Sequence, residues 1–154
     1  LSCPPDPTLI AAMQVLEHDD DPAKLLSRIA SFARPGGKVV IEVPNILCPW
    51  NRLFGKYWDA WYLPYHRHHF TLLSLLNQLR LGGLTIVSVR PVTIPTMGRS
   101  FANLFGGQNN LFWLIVGIVA HPVQILLERL TGQPTAWRVV TIKVPNAGQS
   151  AFAA

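Results

Sequence analysis

Three runs rich in β-branched residues constrain this chain more than any other feature: KVVIEVPN (38–45), LTIVSVRPV (84–92) and RVVTIKV (138–144). A fourth apolar run, LIAAMQ (9–14), precedes them. Runs of this length and make-up, bounded by Pro, Gly and Asn, read as strands. Helical spacing separates them. Leu25, Leu26, Ile29, Ala30 and Ala33 form one apolar stripe, opened by Asp21-Pro22 and closed by the turn Arg34-Pro35-Gly36-Gly37. A second helix is expected over Leu72–Leu81, stopped by Gly82-Gly83. The order β-α-β-α-β-(α)-β predicts an α/β domain on a mostly parallel sheet. The near-continuous apolar run of KVVIEVPN predicts a strand covered on both faces, and Leu9 and Ile10 are expected in the core.

In such sheets ligands sit beyond the carboxyl ends of the strands. Two loops therefore face a ligand: Gln14 to His18 after the first strand, and Asn45 onward after the second. Three prolines make residues 1–8 irregular. Residues 46–70 read as aromatic, basic and irregular, and 93–110 as loop. The expected organisation is a domain over 9–145, with an apolar helical insertion at about 94–137 and a flexible small-residue tail at 146–154.

Hydrophobic residues make up 49% of the chain and charged ones 14%, at a net charge of +5. The 13 Lys and Arg are scattered with no basic run, which argues against a nucleic-acid footprint. A basic, apolar chain suits a membrane surface. Cys3 and Cys48 are too few for a disulfide framework or a Cys-rich zinc site, so free thiols in a cytoplasmic protein are expected. No basic segment followed by an apolar one opens the chain, and it starts at Leu1, so its true N-terminus is expected upstream.

Leu111–Leu127 (LFWLIVGIVAHPVQILL) carries no formal charge. As a helix it is about 26 Å long, short of a ~30 Å hydrocarbon core. Pro122 is expected to bend it or split it into a hairpin. Peripheral membrane contact through 111–130 is expected, with packing on the domain as the alternative.

Taken in order, VLEH (15–18), DDDP (19–22), RPGG (34–37), KVVIEVPN, HHFT (68–71) and the Gly-Gly before LTIVSV resemble the C-terminal half of class I S-adenosylmethionine-dependent methyltransferases. The subgroup containing ubiquinone-biosynthesis O-methyltransferases is the nearest. The resemblance implies a Rossmann-like sheet of which this chain holds strands 4-5-7-6, the last one antiparallel. It implies S-adenosylmethionine as cofactor, lined by Ala12, Met13 and Gln14. The Gly-rich loop and the ribose-binding acid of that family have no counterpart in this sequence.

Glu17-His18 is the sharpest pair. A histidine titrates near neutrality, and an adjacent acid can orient it. Some quinone O-methyltransferases carry Glu-x-x-Glu-His here, with carboxylates that bind a divalent metal. Gln14 replaces the first acid in this chain, so no metal is expected. The blander reading gives Glu17 and His18 only loop hydrogen bonds. His66-Arg67-His68-His69 has metal-like spacing but no nearby cysteine, so zinc is not expected there either. His18 and His69 are the candidate catalytic bases; Glu17, Asn45, Trp58, Tyr65 and His66 are the candidate substrate-binding residues. The dense aromatics around Trp50–Tyr65 either cover a greasy substrate or seal the loop. The expected function is methyl transfer to a small-molecule or lipid-like acceptor. The rival is a non-catalytic methyltransferase-like module for binding or membrane attachment.

Overall fold

The computed structural model describes residues 7–144. Most of the 1–8 segment, Cys3 and the 146–154 tail lie outside the described residues. Four strands form one mixed sheet in the order β1-β2-β4-β3: β1 (Leu9–Met13), β2 (Lys38–Pro44), β3 (Leu84–Val92) and β4 (Ala136–Lys143). β1 runs parallel to β2, and β4 lies antiparallel to both β2 and β3. This is the expected 4-5-7-6 arrangement with an antiparallel last strand.

Helices α1 (Pro22–Phe32) and α3 (Leu72–Leu81) cover one face of the sheet. Asp21 caps α1 by accepting from Lys24 N at 3.0 Å, and Pro22 occupies the first turn. Thr71 and Ser74 cap α3 reciprocally. Leu26, Ile29 and Ala30 of α1 meet Leu75 and Leu79 of α3 over Val39, Ile41, Val43 and Val139. The period of two in β2 sends Val40 and Glu42 to the opposite face.

That opposite face corrects the sequence reading. Val40 is only half-buried, and Leu9 and Met13 of β1 are 58% and 43% exposed. Leu9 is therefore not core: β1 is an edge strand, and no described element packs over this side of it. Ile10, which points to the helix-covered face, does pack against the core.

The irregular stretch 46–70 contains α2 (Pro49–Phe54) and two single 3₁₀ turns, Gly55–Tyr57 and Asp59–Trp61. The loop read at 93–110 contains α4 (Met97–Leu104). Both helices are too short to show a repeating stripe in sequence. Cys48, Trp50, Phe54, Trp58 and Met97 form a second, smaller core beneath them. Cys48 is a free thiol whose pKa burial pushes up to about 11.

Pro122 does not split the last helix. α5 (Leu111–Thr131) is one continuous helix of 21 residues. The proline supplies no N–H to the carbonyl four residues before it, that of Ile118, a residue 63% exposed. The burial pattern of α5 is inverted. Its buried residues are Gln124 and Glu128, while Leu114, Ile115, Ile118, Val119 and Leu130 face outward.

Glu128 explains the inward polar face. Its Oε1 accepts from Trp50 Nε1 and Gln124 Nε2, both at 2.8 Å, and from the Thr135 hydroxyl. Its Oε2 accepts from Thr93 Oγ1 at 2.7 Å and Thr135 N at 3.1 Å. One buried carboxylate thus ties α5 to α2 and to both ends of the insertion. A buried polar group is tolerated when its partners are complete. At the other end, α4 and α5 touch backbone to backbone: a Cβ on Gly98 would strike the Trp113 carbonyl, and one on Gly117 would lie 3.0 Å from Gly98 N.

Candidate functional site

The carboxyl ends of β1 and β2 are held together by polar bonds. Gln14 leaves β1 in a left-handed conformation, with φ 55°. Its backbone N–H donates to Glu42 O at 2.9 Å and its side-chain amide to Glu42 Oε1 at 3.2 Å. Arg138 on β4 donates to Glu42 Oε2 through Nε at 2.7 Å and pairs through Nη2 at 2.6 Å. A lone Glu inside the apolar KVVIEVP run is the signal that could have marked this pair in the sequence.

The 3₁₀ turn Leu16–His18 follows Gln14. Leu16 is drawn into the main core, and this turns Glu17 inward. Glu17 is fully buried, and neither carboxylate oxygen has a hydrogen-bond partner. Its carbonyl accepts from Arg67 N at 2.7 Å and His68 N at 3.1 Å, which pins the aromatic loop to the turn. The exposed pair Arg67–Asp20 closes the same contact at the surface.

This pinning brings His66 to Glu17 and His18. His66 Nε2 lies 4.0 Å from Glu17 Oε1, and the His18 and His66 rings are 4.6 Å apart. His18 Nδ1 donates to Tyr65 O at 3.1 Å, and His66 Nδ1 donates to Ala60 O at 2.9 Å. Carbonyl oxygens only accept, so each imidazole carries a proton on Nδ1 and can keep a lone pair on Nε2. One ligand atom from each of Glu17, His18 and His66 falls within 4.8 Å of the others. No metal was expected from the sequence. A buried carboxylate with two imidazoles can nonetheless hold a divalent cation or relay a proton.

Burial raises the Glu17 carboxyl above its ordinary value; its own backbone amide and His18 oppose the rise, and Glu42 adds to it. Burial lowers His66, opposed by its bond to Ala60 and reinforced by His18 and His69. At 4.0 Å the two are too far apart for a hydrogen bond, and both shifts favour the neutral forms. Burial therefore works against an ion pair between them.

Other candidates fall elsewhere. Asn45 is not free for substrate: its Nδ2 donates to Gln133 Oε1 at 3.1 Å and Pro134 O at 2.9 Å, and its Oδ1 accepts from Leu47 N at 3.1 Å. It is a clamp between strand ends. Tyr65 contributes its carbonyl, while its side chain is 61% exposed and lies against Tyr62. Trp58 belongs to the second core and shows only a margin to a cavity. His69 packs edge-on against Trp61 and stays outside the Glu17–His18–His66 group; burial and His68 lower its pKa. Ala12 points into the core, so only its backbone and the exposed Met13 are open to a ligand.

A cavity of about 240 Å³ lies beyond the strand ends, lined by Gln14, Asp59, Tyr62, His66, Thr96 and Arg99 among others. Asp59 pairs with Arg99 Nε at 3.4 Å. Burial raises the Asp59 carboxyl, and Arg99 opposes the rise. A second cavity of about 730 Å³, walled by Trp58, Trp61 and Tyr62, also reaches Arg99. Arg99 was missed in the sequence because it stands on α4, within a stretch read as loop.

A family model described as a methyltransferase domain matches residues 5–89, more than half of the chain. The chain belongs to the methyltransferase-domain family. Solved structures repeat its fold. A [4+2]-cyclase, SpnF, is 18% identical with a TM-score of 0.54, over 95% of this chain and 53% of its own. An S-adenosylmethionine-dependent methyltransferase from Mesorhizobium loti is 17% identical with a TM-score of 0.54, over 93% of this chain and 65% of its own. An O-methyltransferase family 2 protein from Planctomyces limnophilus, solved with apigenin, is 15% identical with a TM-score of 0.51, over 92% of this chain and 33% of its own. This methyltransferase domain thus spans between a third and two-thirds of those proteins' lengths. A comparison with curated protein sequences finds no match.

The residues of the domain fit S-adenosylmethionine on one side. At the carboxyl end of β1, the left-handed Gln14 stands between Met13 and Val15, which are 43% and 42% exposed. This offers backbone and apolar surface to a ligand. A ribose-holding acid is not offered beside it: Glu42 is engaged by Arg138, and Glu17 is sealed from solvent.

Proposed function

We propose that this domain carries the acceptor side of an S-adenosylmethionine-dependent methyl transfer to a small, lipid-like acceptor. The grouping of Glu17, His18 and His66 at the carboxyl end of β1 carries this reading. Met13, Gln14 and Val15 would hold one side of the cofactor, which when bound supplies an electrophilic methyl group. The acceptor lies in the cavity bordered by His66 and the aromatic loop. His66 borders that cavity and His18 stands next to it, their rings 4.6 Å apart, and either takes the proton that the acceptor must lose. Methyl transfer otherwise needs alignment more than covalent chemistry. The cyclase with the same fold shows that architecture alone does not fix the reaction.

The inverted burial of α5 supports a place at a membrane surface. Little of its apolar length is buried, which sets it apart from the core helix of a soluble domain. Gln124 and Glu128 bind it to the fold along its C-terminal half, so the helix lies against the domain with its apolar side outward.

The decisive experiment incubates the full-length protein with methyl-labelled donor and a long-chain phenol, followed by mass spectrometry of the lipid fraction. Methylated product is expected. Donor binding with no transfer to any phenolic, carboxylic or amine amphiphile would favour a non-catalytic binding module.

A further inference from the structure

The groove between α4 and α5 is separate from the strand-end cavity, yet the two share a wall. It encloses about 520 Å³, within the range of small-molecule sites. Trp113, Leu114 and Ile118 line its length, and Arg99, Asn110 and His121 supply its polar groups. The contact between Gly98 and Gly117 brings the helix backbones together, so the flanking side chains make the walls. Phe105 stacks on Trp113 at 5.7 Å and holds that indole in place.

Arg99 lines this groove, the strand-end cavity and the aromatic cavity alike. Its pairing with Asp59 engages Nε, and its side chain is 58% exposed. The terminal nitrogens of the guanidinium fork are placed to donate to a carboxylate or phosphate. An apolar groove therefore runs up to a cationic group that borders the cavity holding His66.

We propose that the α4–α5 groove binds the apolar chain of a single-chain anionic amphiphile, whose head is read by Arg99 at the junction with the acceptor cavity. This rests on the lipid-like acceptor reading and specifies it: the substrate class is an anionic amphiphile with one chain. The outward apolar side of α5 borders the same groove, so a chain can pass from a bilayer along Leu114 and Ile118 without crossing water.

The test uses the full-length protein without methyl donor. Octyl, decyl and dodecyl phosphate are titrated below their micellar concentrations and followed by tryptophan fluorescence and calorimetry. Affinity is expected to rise by up to about fourfold per added methylene, the equivalent of about 0.8 kcal/mol for each one buried. Leu114→Asp and Ile118→Asp, both at exposed positions, are expected to weaken dodecyl phosphate at least about tenfold by placing charge beside the chain. Arg99→Ala is expected to weaken dodecyl phosphate but not dodecanol. Affinity independent of chain length, or unchanged in both Asp variants, overturns the groove. Equal losses for phosphate and alcohol in Arg99→Ala overturn the head assignment. The readout needs no turnover, so a failed methyl-transfer assay beside chain-length-dependent binding sinks only the enzymatic reading, and the reverse pattern sinks only the groove.

Discussion

Glu17 Oε1 stands 4.0 Å from His66 Nε2, and both oxygens of this buried carboxylate lack a hydrogen-bond partner. Burial raises the acid and lowers the imidazole, so the folded state disfavours charge on either. The raised Glu17 contributes stability that is present below the ordinary carboxyl value and lost as pH rises through its folded value. The lowered His66 contributes stability that is present above the ordinary imidazole value and lost as pH falls through its folded value. Glu17→Gln removes the first dependence. Its stability relative to wild type is expected to grow as pH rises above 4.5. Urea midpoints at several pH values check this, and a constant difference would show Glu17 to be solvated.

The same cluster sets a catalytic expectation. His18→Ala in the full-length protein should lower kcat by about 10²-fold, the usual scale of a lost general base, and leave donor affinity nearly unchanged. Because His66 titrates below its ordinary 6.5, the acid limb of the pH–rate profile should lie below that value if His66 is the base. An acid limb at or above the ordinary imidazole value would shift the role to another group.

Glu128→Ala should destabilise the fold strongly. It removes the acceptor for Trp50, Thr93, Gln124 and Thr135 at once and leaves those donors buried. A loss of about 3–5 kcal/mol is expected from chemical denaturation, on the scale of a broken buried polar network. A cost under about 1 kcal/mol would mean that water replaces the carboxylate.

The membrane reading is checked by co-sedimentation. Full-length protein should pellet with anionic liposomes at low salt, aided by the net charge of +5. Replacing Leu114, Ile115 and Ile118 by Ser should release it with little change in stability, since all three are more than half exposed. A wild type that stays in the supernatant sinks the idea.

The 154 residues by themselves should bind S-adenosylmethionine only weakly. Their described residues give one wall of a cofactor cleft at Met13–Val15 and no free acid for the ribose. Micromolar affinity measured by calorimetry on this chain would contradict that geometry.

The parts legible in the sequence were those written in short-range chemistry. Asp21-Pro22, the Gly-Gly turns and the β-branched runs placed every strand and the two sheet-covering helices. Three-dimensional pairing was not legible. His66 joins Glu17 only because the Glu17 carbonyl catches the backbone of Arg67 and His68. Asn45 looked like a ligand because polar residues at strand ends often are; its role as a clamp depends on Gln133 and Pro134, which lie far along the chain. Pro122 signalled a bend or a split, and α5 running through it excludes the split: the packing of Gln124 and Glu128 beyond the proline, invisible in the local sequence, holds the helix together.

The insertion that carries Arg99, the groove and α5 starts after Val92 and ends before Ala136, and these two residues are paired neighbours across β3 and β4. The excursion leaves and re-enters the sheet at a single rung, but Asn45 and the 46–70 stretch also hold it: Trp50 donates to Glu128, Asp59 N to the Ser100 hydroxyl, and Asn45 to Gln133 and Pro134. The proposed lipid-handling device is thus a two-part cartridge: moved to a sibling domain, the insertion would have to bring the 46–70 stretch with it to keep its preference for greasy substrates.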